Sequence, residues 1–151
     1  MKESTYMRMR CHDWKRAGQI WLWRYAERNR NYLGWHLSAD SAGRDALIAL
    51  VDAFTADGID ATRVMSIDAL DATNRWTCLR NVGKIVMPKT WRLRVTDDDR
   101  WRFPETDEHA EFHVGKSWLP QLRKGFVDIS NPIGDYYIGG HRGGNVPLWF
   151  W

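Results

Sequence analysis

The sequence predicts an α+β fold. It is expected to be a mostly antiparallel, twisted sheet of about six to eight strands with two helices, over about 41–57 and 117–124, packed on it. Three observations carry this expectation. Short runs alternate apolar and polar residues with period two, the mark of half-buried strands. One longer stretch carries an apolar stripe at helical spacing instead. Finally, ten tryptophans fall within 151 residues, several alternating with arginine on strand-like runs. Each indole is area-rich and must anchor either a core or an interface.

Residues 7–11 open the chain as a strand, with Met7, Met9 and Cys11 alternating with Arg8, Arg10 and His12. A turn over 12–18 follows. Residues 19–25 (QIWLWRY) are apolar on both faces, which places that strand inside the sheet. Trp21, Trp23 and Tyr25 share one face and are assigned to a core rather than to base stacking. A polar turn over 27–31 leads to a third strand over 32–37.

Residues 41–57 form the clearest helix. Leu47, Leu50, Val51 and Phe54 fall at i, i+3, i+4 and i+7. Asp40 or Ser41 caps the start, Asp45 sits in the favourable first turn, and Gly58 stops the helix. Residues 63–67 read as a strand, 68–74 as a short helix or loop, and 84–87 as a short strand ended by Pro88. A second helix covers 117–124, with Pro120 tolerated in its first turn and Gly125 ending it. The C-terminus reads as a hairpin around a glycine-rich loop, 139–144. Its apolar Leu-Trp-Phe-Trp tail is expected to be tied down.

The sharpest constellation is TWRLRVTDDDRWRF, residues 90–103. Trp91, Leu93 and Val95 alternate with Arg92, Arg94 and Thr96, and Trp101 and Phe103 alternate with Arg100 and Arg102. A hairpin with a three-residue loop, 97–99, pairs Val95 with Trp101 and Arg94 with Arg102, keeping the two faces consistent. Arg92, Arg94, Arg100 and Arg102 then share one exposed face. Like charges opposite one another destabilise a hairpin. Carboxylates from Glu105, Asp107, Glu108 and Glu111, water and salt, or a partner must offset the repulsion. Arginine suits an acidic protein or a nucleic-acid backbone, since its planar fork grips carboxylate or phosphate in two places.

Other chemistry is weaker. His109, Glu111 and His113 share a face if 109–114 is a strand, and the two imidazoles then stand about 13 Å apart at the α-carbons, too far for one ion. A short helix capped by Thr106 would bring them to chelating distance. Solvated sheet residues are the preferred reading, so no metal or other cofactor is expected. Adjacent Cys11 and His12 on a strand point to opposite faces and should not hydrogen-bond each other; His36, His109, His113 or His141 could supply a base instead, but a small core residue is the preferred reading of Cys11. The glycine-rich loop matches neither GxGxxG nor GxxxxGK[ST], although His141 and Arg142 at its tip can contact a ligand. Trp14 in a turn and Trp118 at a helix start are expected to be partly exposed, as interface anchors.

Composition sets the remaining bounds. A hydrophobic fraction of 44% and a charged fraction of 27% fit one globular domain over 1–151. Two cysteines, Cys11 and Cys78, are too few for a disulfide framework and fit a reducing compartment. No run approaches the ~18 apolar residues of a membrane span, and the first residues lack an apolar signal core. Cytoplasmic residence away from membranes is therefore expected. The net charge of +3 is mild.

No catalytic motif stands out. The expected function is a non-enzymatic protein-binding module, of the inhibitor or immunity type, that neutralises a toxin or enzyme with an acidic surface. A nucleic-acid binder using the arginine face with tryptophan stacking is the alternative. A metal-dependent hydrolase around His109, Glu111 and His113 is the third reading.

Overall fold

The computed structural model describes residues 10–25, 34–69, 85–103, 109–129, 136–138 and 148–150. The chain runs through β1 (Ile20–Tyr25), β2 (Trp35–Ala39), α1 (Ser41–Asp57), β3 (Thr62–Ser66), β4 (Ile85–Val86), β5 (Thr90–Thr96), β6 (Trp101–Arg102), β7 (His109–Gly115), α2 (Leu119–Asp128), β8 (Tyr136–Ile138) and β9 (Leu148–Phe150). The α+β class is as expected. The single sheet is not. The described strands form two sheets, ordered β4-β1-β2-β9-β8 and β3-β5-β7-β6. Both are mixed: β2 and β9 run parallel, as do β5 and β7, and the other pairs are antiparallel.

Local chemistry explains most elements. Asp40 caps α1 by accepting from the Gly43 amide at 2.7 Å, and the same oxygen accepts from the Gln19 amide at 2.9 Å. One carboxylate thus satisfies a helix end and pins it beside the start of β1. Gly58, at φ 81°, ends the helix, its amide donating to the Phe54 carbonyl. β1 lies inside its sheet, as its two apolar faces require. Ile20 and Leu22 enter the main core, and Trp21 and Trp23 are buried on the other face.

Four expectations need correction. Cys11 does not end a strand; it opens a short 3-10 turn, Cys11–Asp13, because its amide donates to Asp57 Oδ2 at the end of α1. Met7 and Met9 lie outside the described residues. The third strand runs on past Leu37 to Ala39 and directly into the Asp40 cap, while Tyr32 and Leu33 lie outside the described residues. A 3-10 turn over Lys116–Trp118 precedes α2, which then continues past Gly125 to Asp128. Gly125 does not stop the helix. It serves as a contact point, since a Cβ there would lie 2.4 Å from Phe150 Cζ. The predicted turn at 27–31, most of the 68–74 segment, Cys78 and the loop at 139–144 lie outside the described residues. The C-terminal hairpin pairing itself is present, β8 against β9, and β9 is tied into the sheet beside β2.

Both sheets and both helices share one buried cluster. Trp35 of the first sheet meets Phe103 of the second at 6.1 Å between rings. Phe112 on β7 is the hub of the second sheet's inner face, stacked on Phe103 at 4.2 Å and edge-on to Trp101 at 4.6 Å. Trp14, Trp23, Trp35, Trp91 and Trp101 are among the largest fully buried side chains. Each removes about 150–250 Å² from water, worth at most about 4–6 kcal/mol by area. On its far face the first sheet carries a second buried row, Trp23, His36 and Trp149. The imidazole lies stacked between the indoles at 5.5 and 6.0 Å.

Candidate protein-docking face

The second sheet sorts its residues by alternation. On β5, Trp91, Leu93 and Val95 are buried, and Arg92 and Arg94 project outward; on β6, Trp101 is buried and Arg102 projects outward. The predicted inside and outside faces therefore hold. The predicted hairpin does not. β5 and β6 are not neighbours, because β7 runs between them, parallel to β5 and antiparallel to β6. Val95 and Trp101 are both level with Val114, and Arg94 and Arg102 are both level with His113. The expected rows survive with one residue inserted. The physical reason is visible on both faces. Direct pairing would set Arg94 against Arg102, an unfavourable like-charge contact. Insertion of β7 separates them, brings Glu111 level with Arg92, and places Phe112 among Trp91, Trp101 and Phe103.

The 97–99 loop is therefore not a hairpin turn but a crossing over the end of β7. The Gly115 amide donates to the Arg100 carbonyl, and a Cβ on Gly115 would lie 2.1 Å from the Asp98 carbonyl oxygen. Only glycine admits that approach. Trp118 Nε1 donates to the Asp99 carbonyl at 2.7 Å, and its ring packs on Trp101 at 4.9 Å. Within the loop, the Thr96 hydroxyl and the Arg100 amide donate to Asp98 Oδ1 and hold that carboxyl below its ordinary range.

The arginines are partly balanced within the chain. Arg94 reaches Asp60 at 2.9 Å, Arg100 reaches Asp98 at 3.2 Å, and Arg92 stands 4.0 Å from Glu111. Glu111 also lies 3.3 Å from His113. Arg102 has no carboxylate partner among the described residues. These exposed pairs are screened by water and contribute little, so their arginines remain available to exchange partners. Val64, level with Arg92 and 51% exposed, adds an apolar spot to the same face. Of the carboxylates expected to balance the ladder, Glu111 does so, while Glu105, Asp107 and Glu108 lie outside the described residues. Asp60 was missed. It follows Gly58 in the turn after α1 at φ 70°, a left-handed conformation that aspartate tolerates. Glycine and aspartate together were the available signal.

The remaining candidates separate. Trp14 is corrected from interface to core. It is 2% exposed, its Nε1 donates to the Ala46 carbonyl at 2.7 Å, and Arg63 lies over its ring. Trp118 is half-buried and holds the loop. His141 and Arg142 lie outside the described residues. His109, Glu111 and His113 sit on a strand. His109 Nδ1 is 2.6 Å from the Thr90 hydroxyl, and no cluster of three metal-ligating side chains occurs among the described residues. The Cys11 thiol is pushed up to about 12, by burial first and then by its hydrogen bond to Asp57. That environment suppresses thiolate chemistry.

Fold and site together define an α+β protein that presents a mixed-charge, arginine-bearing sheet face. No protein-family model matches the chain, nor does any curated protein or solved structure. No helix among the described residues is long and apolar enough to cross a membrane.

Proposed function

We propose that the chain is a non-enzymatic binding module whose outer face on the second sheet docks an acidic surface of another protein. The row Arg94–His113–Arg102 across three adjacent strands carries this reading. It presents rigidly mounted guanidinium groups at fixed spacing, the arrangement that grips carboxylates in two places. An inhibitor or immunity-type role, in which such a face occupies the acidic groove of a toxin or enzyme, is the form of this function we favour.

Two observations favour a protein over a nucleic acid. Asp60, Asp98 and Glu111 sit among the arginines, which admits the separated carboxylates of a protein surface better than the continuous phosphate charge of a nucleic acid. The tryptophans of the second sheet, Trp91 and Trp101, are turned into the core, so among the described residues the face offers no indoles for base stacking.

The test is parallel affinity capture with the wild-type chain and with an Arg92→Glu, Arg102→Glu variant. A protein retained by the first and lost from the second supports the reading; equal retention refutes it. A captured nucleic acid whose binding falls steeply with salt would support the alternative instead.

A further inference from the structure

The edge of the second sheet shows how such a partner would be held, an inference that rests on the docking reading above. Among the described strands, β3 is terminal in its sheet. The Val95 amide donates to the Ala61 carbonyl at 2.9 Å, and the Ile67 amide donates to the Lys89 carbonyl at 2.9 Å. Bonded and non-bonded pairs alternate along an antiparallel ladder. The register Thr62↔Arg94, Val64↔Arg92 and Ser66↔Thr90 therefore falls on the non-bonded positions. The backbone N–H and C=O groups of Thr62, Val64 and Ser66 point away from β5, toward the open edge.

Arg16 Nε donates to the Ser66 carbonyl at 2.7 Å and closes that end. Arg63 turns beneath the sheet, donating to the Trp14 carbonyl at 2.8 Å. No hydrogen-bond partner for the Thr62 and Val64 backbone groups occurs among the described residues. Natural edge strands are usually blunted, because unpaired backbone is a template for another strand. Here the open stretch lies beside exposed Val64, and Arg92 and Arg94 stand one strand further in.

We propose that β3 is a strand-addition site for an extended acidic segment of the partner. Its backbone pairs with Thr62 and Val64. Its carboxylates extend across β3 to Arg92 and Arg94, since an added strand lies about 10 Å from β5, within the joint reach of glutamate and arginine side chains. A second copy of this chain is the poorer occupant, because β3 against β3 would crowd Arg16 and Arg63 against their counterparts.

The test uses amide spectra and hydrogen exchange of the labelled full chain with a short synthetic peptide alternating glutamate and valine. The peptide shifts the Thr62 and Val64 amides and slows exchange at Val64 by about tenfold or more. The same peptide with lysine for glutamate, or N-methylated along one edge, loses the effect. Val64→Pro removes an amide that the β3–β5 ladder does not use, and its spectrum keeps its dispersion while the peptide response disappears. The N-methylated peptide on the wild-type chain keeps the test decisive should that variant unfold. Shifts confined to the arginine side chains, with Val64 exchange unchanged, would overturn strand addition and leave the docking face standing. No response to any peptide also overturns strand addition, while the docking face is judged separately by the capture experiment.

Discussion

Arg94 and Arg102 lie level with each other although their strands do not touch: each is the register partner of His113, from opposite sides. The row therefore carries a guanidinium at each end and an imidazole at its centre. Glu111, on the same strand, is 3.3 Å from His113. A partner carboxylate arriving at Arg102 meets a guanidinium with no competing carboxylate among the described residues.

Reversing the row's charge is expected to leave the fold intact. Both side chains are exposed, and the one ion pair that either makes among the described residues, Arg94 with Asp60, is of the weak surface kind. Arg94→Glu with Arg102→Glu shifts stability by no more than about 1 kcal/mol in denaturant melts. A larger loss would mean that the face is structural.

Trp14 sits in a different class. Trp14→Ala is expected to cost about 3–5 kcal/mol, because it empties a buried indole site and removes the hydrogen bond to Ala46. Equilibrium unfolding measures this. The folded fraction keeps its partner affinity, since the ring faces the core.

Gly125→Ala tests the contact between α2 and β9. The new Cβ would lie 2.4 Å from the Phe150 ring, which is itself buried. Overpacking of this kind costs about 1–3 kcal/mol, against the small gain that alanine normally brings inside a helix. A stabilised variant in thermal unfolding would show that the two elements pack more loosely than described.

Cys11 sets a pH dependence with a definite sign. Its folded-state value, about 12, lies above the ordinary 9.0, so the folded chain keeps a proton that the unfolded chain releases. The corresponding stability is complete below pH 9 and is lost as pH rises toward 12. The difference in unfolding midpoint between wild type and Cys11→Ala should shrink over that window. A difference independent of pH would contradict the assignment.

The sequence made the elements more legible than their neighbours. Alternation around Arg92 and Arg94 and the stripe through Leu47, Leu50, Val51 and Phe54 are local signals, and the inward and outward residues follow from them. Strand partners are not local. The pattern at 90–103 suits a hairpin as well as it suits two strands separated by β7, and the choice turns on Phe112 filling an aromatic pocket and on charge separation across the row. Exposure of single tryptophans was equally hidden. Trp14 lies among polar neighbours in sequence, yet α1 closes over it. The β3 edge depends on which strand ends a sheet, a property of the assembled topology.

The most direct measurement is arginine-selective labelling with phenylglyoxal, read by mass spectrometry on the free and partner-bound chain. Arg92, Arg94 and Arg102 should be protected on binding, while Arg123, paired with Asp52 between the helices, labels equally in both states. Equal labelling of the three sheet arginines, with or without partner, would contradict the docking face.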